Sequence, residues 1–119
     1  IFLTSDCEPH LYIVILEYNE IQEEQMNNFD MYFKQLEETS ELLKALAHPV
    51  RLCIVRGLIG NGPCNVSNMH SCLNLPQSTV SQHVSKLKSA GIIKGERKGT
   101  EIIYEISDSR IKKLVECIF

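Results

Sequence analysis

A chain of 119 residues with 44% apolar content can bury one modest core but not two, so a single fold must carry the function. The longest apolar run, Leu11 to Leu16, falls far below the roughly eighteen residues that span a bilayer, and no basic segment precedes it as in a signal peptide; a soluble, cytoplasmic protein is expected. Five irregularly spaced cysteines exclude a secreted disulfide scaffold and read as reduced thiols, and a net charge of −3 argues against nucleic acid only until its distribution is examined.

That distribution is uneven. Residues 1–46 hold ten acids and two lysines, whereas residues 76–100 hold Lys86, Lys88, Lys94, Arg97 and Lys98 against Glu96 alone.

Residues 1–25 read as an N-terminal extension, because the chain opens on Ile1 and Met26 fits a natural start; residues 26–119 read as the functional domain. From residue 29, Phe29, Phe33, Leu36, Leu43 and Leu46 fall on one helical stripe with Glu37, Glu38, Glu41 and Lys44 mostly elsewhere, predicting a long amphipathic helix with a bend at Thr39 and Ser40. Pro49 fits the first position of a second helix, with Leu52, Val55, Leu58 and Ile59 on its buried face and Gly60, Gly62 and Pro63 ending it. A short helix is expected over residues 65–73. Pro76 fits the start of the next, which runs to Ala90 with Gly91 as the left-handed terminator.

At 100° per residue, Val80, Val84 and Leu87 of this helix share a narrow arc, and the opposite side presents Ser78, Thr79, Ser81, Gln82, Ser85, Lys86 and Ser89 without an acid. Ile92 and Ile93 then read as a strand, Glu96 to Gly99 as a tight charged turn, and Ile102, Tyr104 and Ile106 as the alternating return strand. A last helix over residues 109–119 carries Ile111, Leu114, Val115 and Ile118 on its apolar side.

This order predicts a mainly α fold with a small β-hairpin wing, a winged helix-turn-helix. A helix that enters the major groove needs small side chains for close approach and amides or hydroxyls that pair with base edges, as Gln82 can with adenine. Lysines and arginines around it supply the phosphate contacts that fix register. The candidate DNA-contacting residues are Gln77, Ser78, Thr79, Ser81, Gln82, His83, Ser85 and Lys86 of the polar helix and Lys94, Arg97, Lys98 and Thr100 of the hairpin. His83, at the edge of the buried arc, fits either a brace for that helix or a phosphate contact.

Three blocks also resemble the ArsR/SmtB repressors over residues 28–119. Leu46-Ala47-His48-Pro49-Val50-Arg51-Leu52-Cys53-Ile54-Val55 is similar to that family's entry into its second helix, and Leu75-Pro76-Gln77-Ser78-Thr79-Val80-Ser81-Gln82-His83-Val84-Ser85-Lys86-Leu87 to its recognition helix. Ala90-Gly91-Ile92-Ile93, with Arg97-Lys98-Gly99-Thr100 and Ile103-Tyr104-Glu105-Ile106, resembles its wing. The resemblance implies a homodimer built through the first and last helices, binding double-stranded DNA at an inverted repeat and released by a chemical signal.

It also marks departures from the metal sensors. Asn65 and Ser67 stand at the two cysteine places of the thiolate box, with Cys64 one position off. Asp108 matches the other common site, but Arg110 replaces its first histidine and the chain ends at Phe119 before the second pair. Neither a metal nor another cofactor is therefore expected.

Cys64, His70 and Cys72 suit structural or surface roles: on a continuous helix Cys64 and Cys72 would lie about 12 Å apart along the axis. Cys53 reads as a small core residue before a sensor, and His48 as a helix-entry residue. Cys53 and Cys117 are the candidate thiol-sensing pair, and Cys7 with His10 could join Cys117 in a switch across a dimer. No motif places a nucleophile beside a base and an orienting acid, and no glycine-rich phosphate loop occurs, so an enzyme is not expected. Two alternatives stay open: a metal-responsive repressor with a non-standard Cys/His site, and a winged helix that docks protein. The acid-free face favours DNA.

Overall fold

The computed structural model describes residues 9–119, with side chains from residue 11 onward. In chain order the elements are α1 (Pro9–Leu46), α2 (Pro49–Asn61), α3 (Val66–Leu73), α4 (Gln77–Ser89), β1 (Ile93–Lys98), β2 (Glu101–Ile106) and α5 (Ser109–Ile118). The chain divides between Glu38 and Thr39 into two compact units, and α1 contributes to both.

In the first unit α1 is helical well before Phe29, where the apolar stripe becomes regular. The earlier start follows from the apolar run Leu11 to Leu16, which has no proline or glycine to end a helix. Phe29 and Phe33, one turn apart, stack with ring centroids 6.0 Å apart.

The second unit holds the core. Leu46 of α1, Ile54, Val55 and Leu58 of α2, Met69 of α3, Val80, Val84 and Leu87 of α4, Ile92 just before the hairpin rather than in its first strand, Ile93 and Tyr104 of the hairpin, and Ile111 and Val115 of α5 form one buried cluster. The buried face of α2 is rotated from expectation: Arg51, Ile54, Val55 and Leu58 lie inside, while Leu52 and Ile59 are half-buried and Cys53 is exposed. The apolar run Leu52 to Val55 gives no periodicity from which to choose a face.

Each helix end has an identifiable cause. His48 Nδ1 accepts the Val50 N–H at 3.1 Å and Pro49 follows at the first helical position, so α2 starts there. Asn65 Oδ1 accepts the Asn68 N–H at 2.8 Å to open α3, and Asn74, left-handed at φ 53°, closes it. The end of α4 is a Schellman motif: Gly91 at φ 78° allows Ile92 N–H to reach Leu87 O at 3.0 Å and Gly91 N–H to reach Lys88 O at 3.0 Å. Leu87 and Ile92, which this motif brings together, are fully buried.

The two strands pair antiparallel from Ile93 opposite Ile106 to Lys98 opposite Glu101. Glu96, Arg97 and Lys98, expected in the turn, therefore belong to β1. Only Gly99 and Thr100 close the hairpin, with a positive φ at Gly99 alone, which suits a two-residue turn with glycine at its first position. Cys64 is drawn to the sheet through a bridge in which it exchanges both backbone hydrogen bonds with Tyr104.

Candidate nucleic-acid interface

Helix α4 is fixed from behind and open in front. Val80, Val84 and Leu87 are buried, whereas Gln77, Ser78, Gln82, Ser85 and Lys86 are exposed and Thr79, Ser81 and His83 are half-buried at the flanks. The polar face predicted from helical spacing is thus the accessible face. The α3–α4 turn is braced by His70, whose Nδ1–H donates to the Leu75 carbonyl, so His70 has a structural role.

The hairpin packs beside α4 through β1 and exposes Lys94, Arg97, Lys98 and Thr100. Lys94 is held at 3.2 Å by Glu105 across the ladder, and Arg97 Nε donates to Gly99 O at 3.4 Å. Among the described residues no ion pair engages Lys86, Lys88, Arg97 or Lys98. A cation without an acid partner is free to neutralise a phosphate without first breaking a salt bridge.

An open groove of about 330 Å³ gathers Gln77 and Ser81 of α4, Asn65 and Ser67 at the head of α3, and Thr100 and Glu101 at the hairpin. The expected contacts Gln77, Ser81 and Thr100 are therefore neighbours. Asn65 and Ser67, at the two cysteine places of the thiolate box, instead begin a helix beside the interface, as the Asn65-to-Asn68 capping spacing signals.

His83 is turned onto its own protein rather than held clear of it: its Nδ1 lies 3.4 Å from Arg51 Nη1, and its ring lies 4.5 Å from that of His48. Burial, then the charges of His48, Arg51 and Lys86, lower its proton affinity below the ordinary imidazole value. Sequence reasoning missed Arg51 altogether, since an arginine amid apolar residues gives no sign of which way it turns.

The thiols divide by environment. Cys53, Cys72 and Cys117 are exposed and free, and Cys64 is half-buried and free. Burial, with a smaller contribution from Cys72, pushes the Cys64 thiol above its ordinary value, which lowers its thiolate fraction. The helical spacing assumed between Cys64 and Cys72 does not hold, because Cys64 precedes α3. Cys7 and the His10 side chain lie outside the described residues.

Asp108, matched above to a metal ligand, caps α5 by accepting the Arg110 N–H at 2.9 Å and grips the Arg110 guanidinium at 3.1 and 2.7 Å. Among the described residues no three His, Cys, Asp or Glu side chains gather to hold a metal ion. No helix among them is long and apolar enough to cross a membrane.

A helix-turn-helix domain family matches residues 46–96. The chain is 40% identical over 86 residues to the transcriptional repressor PagR of Bacillus anthracis, covering 72% of this chain and 86% of that protein. It is 42% identical over 80 residues to the repressor SmtB of Mycobacterium tuberculosis, covering 67% of this chain and 58% of that one. The crystal structure of PagR superposes with a TM-score of 0.68 at 39% identity, over 73% of this chain and 99% of PagR. A homodimeric winged helix-turn-helix DNA-binding domain from Mycobacterium bovis superposes with a TM-score of 0.69 at 27% identity, over 75% of this chain and 82% of that one. The chain belongs to the ArsR/SmtB family of winged helix-turn-helix transcriptional repressors.

Proposed function

We propose that the protein represses transcription in the cytoplasm as a homodimer on an inverted-repeat operator, with residues 26–119 as the DNA-binding domain. The observation that carries this reading is the acid-free face of α4, backed by three buried core residues and flanked by a hairpin whose cations are mostly unpaired. Gln77, Ser78, Thr79, Ser81, Gln82 and Ser85 read bases or approach them, and Lys86, Lys94, Arg97, Lys98 and Thr100 contact the backbone. His83 acts as a brace.

Two surfaces support dimerisation. Helix α1 leaves Phe29, Phe33, Leu36 and Leu43 exposed, and α5 leaves Ile118 and Phe119 exposed. Apolar surface of this extent is stabilised by a partner rather than by water, and the resemblance to a homodimeric neighbour fits a second copy.

The signal is proposed to act through thiols, at Cys53 and Cys117. Both are exposed, and the Arg56 guanidinium lies 4.5 Å from the centre of the Phe119 ring, which holds the end of α5 against the face of α2 one turn from Cys53. Selection of duplexes from a random pool tests the whole reading. Recovery of an inverted repeat is expected; recovery of direct repeats or of no common sequence contradicts it.

A further inference from the structure

Among the described residues Arg51 is the charged side chain held in the core, 8% exposed, with no carboxylate paired to it. A guanidinium so placed is costly, and a methionine or leucine would fill similar volume with less penalty. What the arginine provides is direction. Its Nε–H donates to the Ala45 carbonyl in the last turn of α1, the negative end of that helix dipole, and its Nη1 lies 3.4 Å from His83 Nδ1 in the middle of α4. His48 completes the cluster: its ring packs on that of His83, and its Nδ1 is fixed by the Val50 N–H.

The buried residues of α4 itself are Val80, Val84 and Leu87, all apolar. Apolar packing is non-directional, so these residues hold the helix against the core but tolerate small rotations about its axis. A hydrogen bond at the edge of the apolar arc does not. We propose that Arg51 is a positioning residue for operator reading: through His83 it sets the rotation of α4 and hence the aim of Gln82, the adjacent residue. The proposal rests on α4 being the helix that reads DNA.

Arginine can only donate, so His83 Nδ1 must accept, which places the ring proton on Nε2 in the neutral form. Protonation puts an Nδ1–H against the Arg51 fork. The charged or titratable groups facing His83 are His48 at the α1–α2 corner, Arg51 of α2 and Lys86 of α4; each opposes that added charge. Because the folded protein lowers the proton affinity of His83, the packed arrangement is fully favoured above the unfolded value of about 6.5 and weakens as pH falls below it. A cationic His83 adds positive charge near DNA. Acid should therefore erode discrimination without eroding general affinity.

The test measures affinity for a duplex enriched by the protein from a random pool and for a scrambled duplex, between about pH 7.5 and 5.5, using Arg51→Met, Arg51→Lys, His83→Gln and Gln82→Ala. Wild-type preference for the enriched duplex is expected to fall on acidification while scrambled-duplex affinity holds or rises. Arg51→Met should lose about tenfold in preference at neutral pH, or about 1.4 kcal/mol, with scrambled-duplex affinity within about twofold, and Arg51→Lys, which lacks the planar fork, should not rescue it. His83→Gln, whose amide oxygen can still accept from Arg51 but does not titrate, should flatten the pH response. That variant decides the matter if Arg51→Met does not fold: a wild-type pH profile in His83→Gln overturns the proposal. If Gln82→Ala abolishes preference while the Arg51 and His83 variants keep the wild-type preference and profile, only the positioning role fails. If Gln82→Ala also keeps full preference, α4 is not the reading helix and both fall.

Discussion

Gly95 faces Tyr104 directly across the β1–β2 ladder, and a Cβ added at Gly95 would lie 2.9 Å from Tyr104 Cε1 and 2.8 Å from Ile102 Cγ2. Tyr104 cannot simply withdraw, because its backbone is bonded in both directions to Cys64 and its side chain is buried. Gly95→Ala would gain about 0.4–1 kcal/mol from a stiffer unfolded chain. The steric clash should outweigh this, for a net loss of about 1–2 kcal/mol. A urea midpoint lower than wild type is expected; a higher one would show that the ring yields.

Gln82→Ala and Lys98→Ala should separate base reading from charge. Loss of the amide should cost about 1–3 kcal/mol of discrimination at one or two base pairs per half-site. Loss of the ammonium should weaken all duplexes alike and reduce the salt slope by about one per subunit. Competition binding on single-base operator variants checks both, and equal loss of specific and non-specific affinity in Gln82→Ala would contradict the assigned face.

Asp108→Ala should destabilise the protein by about 1 kcal/mol through the lost cap of α5. The Arg110 guanidinium holds the Asp108 carboxyl below the usual carboxylate range, so the stabilisation is present above the unfolded value of about 3.9 and is lost as pH falls through the lower folded value. Thermal melts of the two proteins should differ at neutral pH and converge in strong acid. A constant difference would assign the loss to packing instead.

Oxidant should release the protein from DNA, and Cys53→Ser or Cys117→Ser should abolish that release. Cys64→Ser should leave it intact, since burial raises that thiol and keeps it protonated. Binding assays with peroxide, zinc, cadmium and arsenite decide the point. Release at one metal equivalent per subunit, abolished by replacing Cys64 or Cys72, would replace the thiol reading with a metal one.

The order of elements and the accessible face of α4 were legible because each rests on local chemistry: Pro49 and Pro76 at helix starts, Gly91 at a helix end, and a regular period in Val80, Val84 and Leu87. Legibility failed where the decisive contact is distant in sequence. The run Leu52 to Val55 could turn either way until α4 packed on it, which hid both the burial of Arg51 and the exposure of Cys53. The extent of β1 is seen in its pairing with β2, where Gly95 lies opposite Tyr104, a relation that local turn propensity does not contain. The cap at Asp108 is local, its carboxylate accepting the N–H two residues on, but the sequence comparison with metal sensors gives no sign of it.

The central claim, that a dimer binds duplex DNA through α4 and its neighbouring cations, is tested most directly by titrating the enriched duplex at several salt concentrations while measuring the mass of the complex. A complex of two chains per duplex is predicted, with affinity falling steeply and linearly on logarithmic axes as salt rises, because several phosphates are neutralised per dimer. A single chain per duplex, or an affinity that is flat between low and moderate salt, would contradict it.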